Sequence, residues 1–189
     1  VIVSGSSPFS YQWKKDGAAI SGATSSTLTV SSVSSSDAGA YTVRVENDCG
    51  YADSDPAYVV VRVAPYIVDH PEDQVLCEGE TIHLSVTASG SAPLYYQWKK
   101  DGVSLPGETS SSLTIPSATM SDSGNYTVKV ENDCGYVESD PAYVEVRKAP
   151  EIIVHPEGQN LCEGDDLYLS VTATGSYPLY YQWKKDGVA

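Results

Sequence analysis

The chain has 189 residues, with 25 acidic against 11 basic side chains and a formal net charge of −14. A surplus of that size repels nucleic acid and anionic lipid, which sets both aside as partners. No run approaches the roughly 18 apolar residues that a membrane helix needs, so direct membrane insertion of this segment is not expected. One Phe and one Met stand against 14 Tyr and 3 Trp, which leaves the core to Val, Leu, Ile and a few aromatics, an all-β palette.

In chain order, the opening VIVSGSSP matches the interior of a strand that recurs later, and the string YQWKKDG around Trp13 reads as the first strand and turn. A serine-rich stretch follows, then a corner at Asp37, Gly39 and Tyr41, a strand through Val43, and the turn NDCGY with Cys49. The linker RVAPYIV leads to an extended segment over 67–76 and the turn LCEGE with Cys77. Beyond it Ile82, Leu84, Val86 and Ala88 alternate with polar neighbours, the period-2 mark of a strand with one buried face. The same alternation recurs at Leu94, Tyr96 and Trp98, at Leu113 and Ile115, at Tyr126, Val128 and Val130, and at Val144 and Val146. Turn signals such as SGSAP, KDG, LPGETSS and SDSG punctuate these runs, and no stretch carries helical periodicity.

The pattern repeats. Trp13, Trp98 and Trp183 are spaced 85 residues apart, as are Cys49 and Cys134, and Cys77 and Cys162. A period that long marks a domain rather than a solenoid turn. Residues 20–104 and 105–189 are about two-thirds identical, which points to recent duplication. The expected division is a partial repeat over 1–63, a complete one over 64–148 and a second partial one over 149–189, with both ends cut through a longer array.

Trp98 in a strand, followed by Asp122, Gly124 and Tyr126 before another strand, resembles the core tryptophan and tyrosine corner of the immunoglobulin fold. The order VTASG, PLYYQWKKDG, TSSSLTI, SDSGNY and CEGE is similar to the I-set-like repeats of large secreted bacterial surface proteins. The resemblance covers essentially the whole chain and implies tandem immunoglobulin-like β-sandwiches. Trp13, Trp98, Trp183, Asp37, Tyr41, Asp122 and Tyr126 take the structural positions. Where the family's inter-sheet disulfide would lie, this sequence has Val86 and Val128, and in neighbouring repeats Val171 and Val43. Apolar packing then replaces the bridge, at about the few kcal/mol that burying such a pair contributes.

Within that fold the two cysteine turns of one repeat fall at opposite ends of the sandwich, roughly 26 Å apart along about eight strand residues. A disulfide needs Cα atoms within about 7 Å. Three readings stay open for Cys49, Cys77, Cys134 and Cys162: a staple between domains or molecules, a bridge inside one domain if the strand directions differ, or free thiols. Spacing speaks against zinc, since no CxxC or nearby histidine pair exists.

No catalytic constellation emerges. His70 and His155 share an HPE position in an extended segment, and His83 is replaced by Tyr168 one repeat later. The acidic groups Glu163, Asp165 and Asp166, or Glu46, Asp53 and Asp55, offer calcium oxygens, but their positions vary between repeats, which favours solvated surface. Tyr95, Gln97, Lys99 and Lys100 form a recurring outward face suited to a glycan, a neighbouring chain or plain solvent. The sequence thus points to a non-enzymatic, cofactor-free extracellular protein, secreted or at the cell surface. Its leading role is a stiff stalk or filament partnered by copies of itself or adjacent repeats. The alternative is an adhesive or carbohydrate-binding module for surface glycans or proteins.

Overall fold

The computed structural model describes all 189 residues, which divide into two compact units, Val1–Val63 and Ala64–Ala189. The first unit contains β1 (Ser10–Lys15), β2 (Ala18–Ala19), β3 (Gly39–Asn47), β4 (Gly50–Asp53) and β5 (Ala57–Val59) in one antiparallel sheet around β3. Leu28 and Val30, whose pattern matches Leu113 and Ile115, form no strand here. In the complete repeat their counterparts pair with a strand whose equivalent is missing from residues 1–63.

The second unit begins with β6 (Tyr66–Asp69), β7 (Gln74–Cys77), β8 (Ile82–Ser85) and β9 (Thr87–Ser89). It continues with β10 (Tyr95–Lys100), β11 (Val103–Ser104), β12 (Ser112–Ile115), β13 (Gly124–Asn132), β14 (Gly135–Glu138) and β15 (Ala142–Arg147), and closes with β16 (Glu151–Val154) and β17 (Thr172–Thr174). One layer of the complete repeat runs β11-β10-β13-β15-β7, with β14 also on β13; the other is built from the pairs β12-β8 and β6-β9. The sequence-predicted lead-in over 67–76 is two strands: its first part joins β9 antiparallel, and its second crosses to the opposite layer and runs parallel to β15.

Alternation places the core where the apolar pattern sets it. Ile82, Leu84, Val86, Trp98, Leu113, Tyr126, Val128, Val130, Val144 and Val146 are buried in one cluster, with Leu76, Leu94, Tyr96 and Ile115 packed against it. Buried side chains come from both layers, so the cluster is the sandwich interior. The Trp98 indole N–H donates to the carbonyl of Ser110 at 2.9 Å, so this large ring is buried without an orphaned donor. Between β14 and β15, Ser139 turns inward: its hydroxyl accepts from the Val128 amide at 3.0 Å and its own amide donates to the Val128 carbonyl at 3.0 Å. Ser54 accepts in the same way from Val43 in the first unit.

The third repeat differs from the sequence expectation. Trp183 is 47% exposed, Val171 is half-buried, and residues 179–182 form no strand. The matching strand β10 is held by β13, and residues 149–189 contain no counterpart of β13. An apolar cleft of about 410 Å³ is lined by Ile152, Val171, Ala173, Leu179 and Trp183 among others.

Candidate functional site

Three places carry the recurring features of the sequence: the corner before β13, the outward face of the β10-β13-β14 layer, and the two ends of the sandwich. At the corner, a short 3-10 turn over Met120–Asp122 is closed by Asp122, whose carboxylate accepts from the Thr119 amide and hydroxyl, both at 2.8 Å. Those bonds, the amide first, hold the Asp122 carboxyl below its ordinary titration range. The Tyr126 hydroxyl donates back to the Asp122 carbonyl at 2.7 Å, and Tyr41 does the same to Asp37 at 2.8 Å. Tyr126 is 0% exposed, and burial, with the nearby Asp122 and Asp101 charges, pushes its phenol up to about 12. The KDG turn is locked to this corner: Asp101 accepts from the Asn125 amide at 2.9 Å and donates its own amide to the Asn125 carbonyl at 2.8 Å. Gly124, at φ +153°, has no room for a side chain, because a Cβ there would lie 2.7 Å from Asp101 Oδ2.

On the outward face, Lys99 reaches Glu138 at 3.0 Å and Thr127 donates to the same carboxylate at 2.9 Å, which keeps Glu138 ionised to lower pH than usual. Lys129 stands 4.7 Å from the centre of the Tyr136 ring. The first unit repeats the motif with stronger geometry, since Arg44 grips Asp53 through two bonds of 2.9 and 2.7 Å and stacks 3.9 Å over Tyr51. Tyr95 and Tyr136 are 61% and 68% exposed. Lys100 does not join this face, contrary to the sequence expectation. Period-2 alternation puts it on the Trp98 side, where its ammonium donates to the Ser121 carbonyl at 2.7 Å.

The ends of the sandwich are hydrogen-bonded turns. At one end the Cys77 amide donates to Glu80 at 2.6 Å and the Glu78 amide to the Arg147 carbonyl at 2.8 Å, tying the turn to the last residue of β15. Cys162 repeats the first bond with Asp165 at 2.8 Å. At the other end the Cys134 amide donates to Asn132 Oδ1 at 2.9 Å, while Asn132 Nδ2 donates to the Ser91 carbonyl at 2.9 Å. Cys49, Asn47 and Ser6 reproduce the pair of bonds in the first unit. All four cysteines are exposed, free thiols. Strand register decides against the bridge inside one domain. Gln74, Val144 and Gly124 lie level across the layer, with Cys77 three residues beyond them in one direction and Asn132, two before Cys134, eight residues beyond in the other. That places the two sulfurs about 35 Å apart at about 3.3 Å per residue.

The remaining candidates do not converge. Asp53 is engaged by Arg44 and Lys14, Asp165 by the Cys162 turn, and Asp166 accepts from the Tyr168 hydroxyl at 3.2 Å. No three His, Cys, Asp or Glu side chains gather in metal-binding geometry. His70 accepts from the Asp140 amide at 2.9 Å and His83 meets the Thr114 hydroxyl at 3.0 Å, both at exposed sites. Asn132, Ser139 and Ser176 escaped the sequence reading, although each recurs at the 85-residue period, in NDCGY, in SDPAYV and in the Gly-Ser pair of the SGS and TGS turns.

The layer order of β6 to β15, the strand that changes layers and the tyrosine corner together define an immunoglobulin-type sandwich. The family profile "Immunoglobulin domain" matches residues 1–47 and 64–132, and the chain belongs to that family. It is 31% identical to the chicken "Cell adhesion molecule DSCAM" over 208 aligned positions, 98% of this chain and 10% of that protein. It is 30% identical to human "Roundabout homolog 2" over 165 positions, 85% of this chain and 12% of that protein. The chain thus spans about a tenth of these relatives. Among solved structures, the titin I-band fragment I67–I69 superposes with a TM-score of 0.73 at 22% identity, over 93% of this chain and 68% of that one, a likeness of fold. No helix is long and apolar enough to cross a membrane.

Proposed function

We propose that the chain is part of an extracellular structural array, a stiff stalk or filament of head-to-tail immunoglobulin-like domains, without enzymatic activity. The observation that carries this reading is the repetition of the same framework bonds at an offset of 85 residues. Corner, cysteine turn and inward serine recur in both units. Recognition resides in loops that vary, whereas load transmission needs the same module again and again. The short linkers RVAP and RKAP, each with a proline, leave little slack between sandwiches. The cell adhesion molecule among the relatives supports the same placement outside the cell.

Small-angle scattering on chains of one, two and three complete repeats tests this. The maximum dimension should grow by at least one sandwich length, about 35 Å, per repeat. Growth well short of linear, as from domains folding back on one another, would refute the stalk.

A second reading is favoured by the exposed Tyr95 and Tyr136 beside the Lys99–Glu138 and Lys129 pairings, and by the adhesion protein among the relatives. On that reading this sheet face contacts a neighbouring copy or a glycan. Beads coated with the chain would then aggregate, and a Tyr95→Ser/Tyr136→Ser double variant would not; wild-type beads that stay dispersed would count against it.

A further inference from the structure

We propose that Cys77 is one half of an inter-repeat disulfide whose other half is the cysteine standing, in the following repeat, where Cys134 stands in its own. This rests on the head-to-tail reading above, and it is carried by a line of contacts through the junction. Cys77 is the register partner of Arg147, the last residue of β15. The next residue, Lys148, is bracketed by the following repeat: its amide donates to the Ser176 hydroxyl at 2.9 Å and its carbonyl accepts from the Ser176 amide at 2.9 Å. Gly175, just before Ser176, leaves no space for a Cβ, which would lie 2.9 Å from Pro150 Cα. The bracket therefore closes on a linker already packed against it.

Ser176 occupies the position that Ser91 holds one period earlier. Ser91 accepts from Asn132, the same side chain that receives the Cys134 amide, and Ser6, Asn47 and Cys49 show the identical arrangement. A complete repeat following Lys148 thus sets its own NDCG turn beside the residue that grips Lys148, on the end of the sandwich that carries Cys77. Both sulfurs are exposed, and the alternative partner within the same domain is about 35 Å away by register. Residues 1–189 hold no CEGE cysteine together with the NDCG cysteine of the repeat after it, in keeping with four free thiols.

The chemistry is thiol–disulfide exchange with a low-molecular-weight disulfide. One protein thiolate attacks the disulfide and releases one small thiol; the second protein thiolate attacks the mixed disulfide and releases the other. One S–S bond forms in the protein, one is consumed, and the two protein protons leave on the two small thiols.

The experiment uses the full chain continued by a second copy of residues 105–148, which completes the third repeat because Ala189 stands at the position of Ser104. After equilibration with oxidised glutathione, peptide mapping without reduction should find Cys77 joined to the added cysteine. Cys77→Ser should leave the added cysteine free or carrying glutathione, and scattering from the same sample reports separately whether the domains lie end to end. An extended particle in which neither cysteine is joined to the other overturns the disulfide and leaves the stalk standing; a compact particle overturns the stalk itself. The 189-residue chain gives an independent check that needs no added segment. After the same treatment its four cysteines should be free or mixed disulfides with glutathione, none joined to another in the same molecule, and a Cys77–Cys134 bridge within one molecule would overturn the proposal.

Discussion

Replacing Tyr126 with phenylalanine removes one atom from a fully buried ring and leaves the packing of Val128 and Val144 around it in place. At neutral pH the variant loses the 2.7 Å bond to the Asp122 carbonyl, a cost of about 1–2 kcal/mol for one unmade, largely buried hydrogen bond. High pH reverses the ranking. The folded-state phenol is pushed up to about 12 from 10.0, so the unfolded chain releases its proton first. A raised folded pKa gives stability that is whole below pH 10 and drains away as pH climbs toward 12, on the order of 2–3 kcal/mol in all. The phenylalanine variant has nothing to ionise at this position, and every other tyrosine and lysine titrates alike in both proteins. Urea unfolding followed by Trp98 emission, in a background with Trp13→Phe and Trp183→Phe, should show wild type ahead at pH 8, the two curves crossing near pH 11 and Tyr126→Phe ahead at pH 12. A constant difference from pH 8 to 12 would refute the reasoning, since it would mean that the phenol titrates alike folded and unfolded.

The corner makes further predictions by the same assay. Asp122→Ala should cost about 1 kcal/mol at pH 7 through the lost cap on Thr119. Because the folded carboxyl titrates below its ordinary range, that contribution is present above the ordinary value and fades as pH falls through the depressed one, so the two proteins should converge in acid. Gly124→Ala should destabilise by about 3 kcal/mol, whereas Gly102→Ala, at φ +80° with nothing within 4 Å, should cost about 1 kcal/mol of backbone strain alone. Val128→Ala should lose about 2 kcal/mol for the methyls withdrawn from the core, read as a lower urea midpoint at unchanged slope.

The core was legible because period-2 alternation is a direct record of burial. Every inward row named from the pattern of residues 64–148 lies in or against the sandwich interior. The corner was legible because Asp, Gly and Tyr at that spacing serve one local geometry. The division of the lead-in between two layers was not, since an extended run reads the same whichever sheet accepts it and only the register with β15 or β9 decides. The inward serines were hidden by composition, because Ser139 sits in a turn-like SDP string and its burial follows from a backbone break between β14 and β15 that no periodicity records. Trp183 and Val171 were named as core by analogy with Trp98 and Val86, yet a residue is buried only where its partner strand exists.

Moving sulfur from the interior to the ends changes what oxidation can do. Val86 and Val128 stand at the inter-sheet bridge position and are buried, so the sandwich closes by apolar packing and needs no oxidant to fold. Its cysteines are left on exposed turns at the two ends, each turn fixed by its own backbone bonds to Glu80 or Asn132 before any sulfur reacts. A bond formed there constrains the joint rather than the domain. The Lys148–Ser176 bracket already joins the two repeats in the reduced chain, so the bond adds a covalent tie across a contact that exists without it. Its further effect falls on the unfolded chain, where it closes a long loop running from Cys77 through the rest of its repeat into the next. Oxidised arrays should therefore resist separation of neighbouring repeats under load and also unfold at a higher midpoint than reduced ones. Force spectroscopy and thermal unfolding of the extended chain, with and without a thiol reductant, would show both, and a separation force and midpoint that reduction leaves unmoved would mean that no bond crosses the joint.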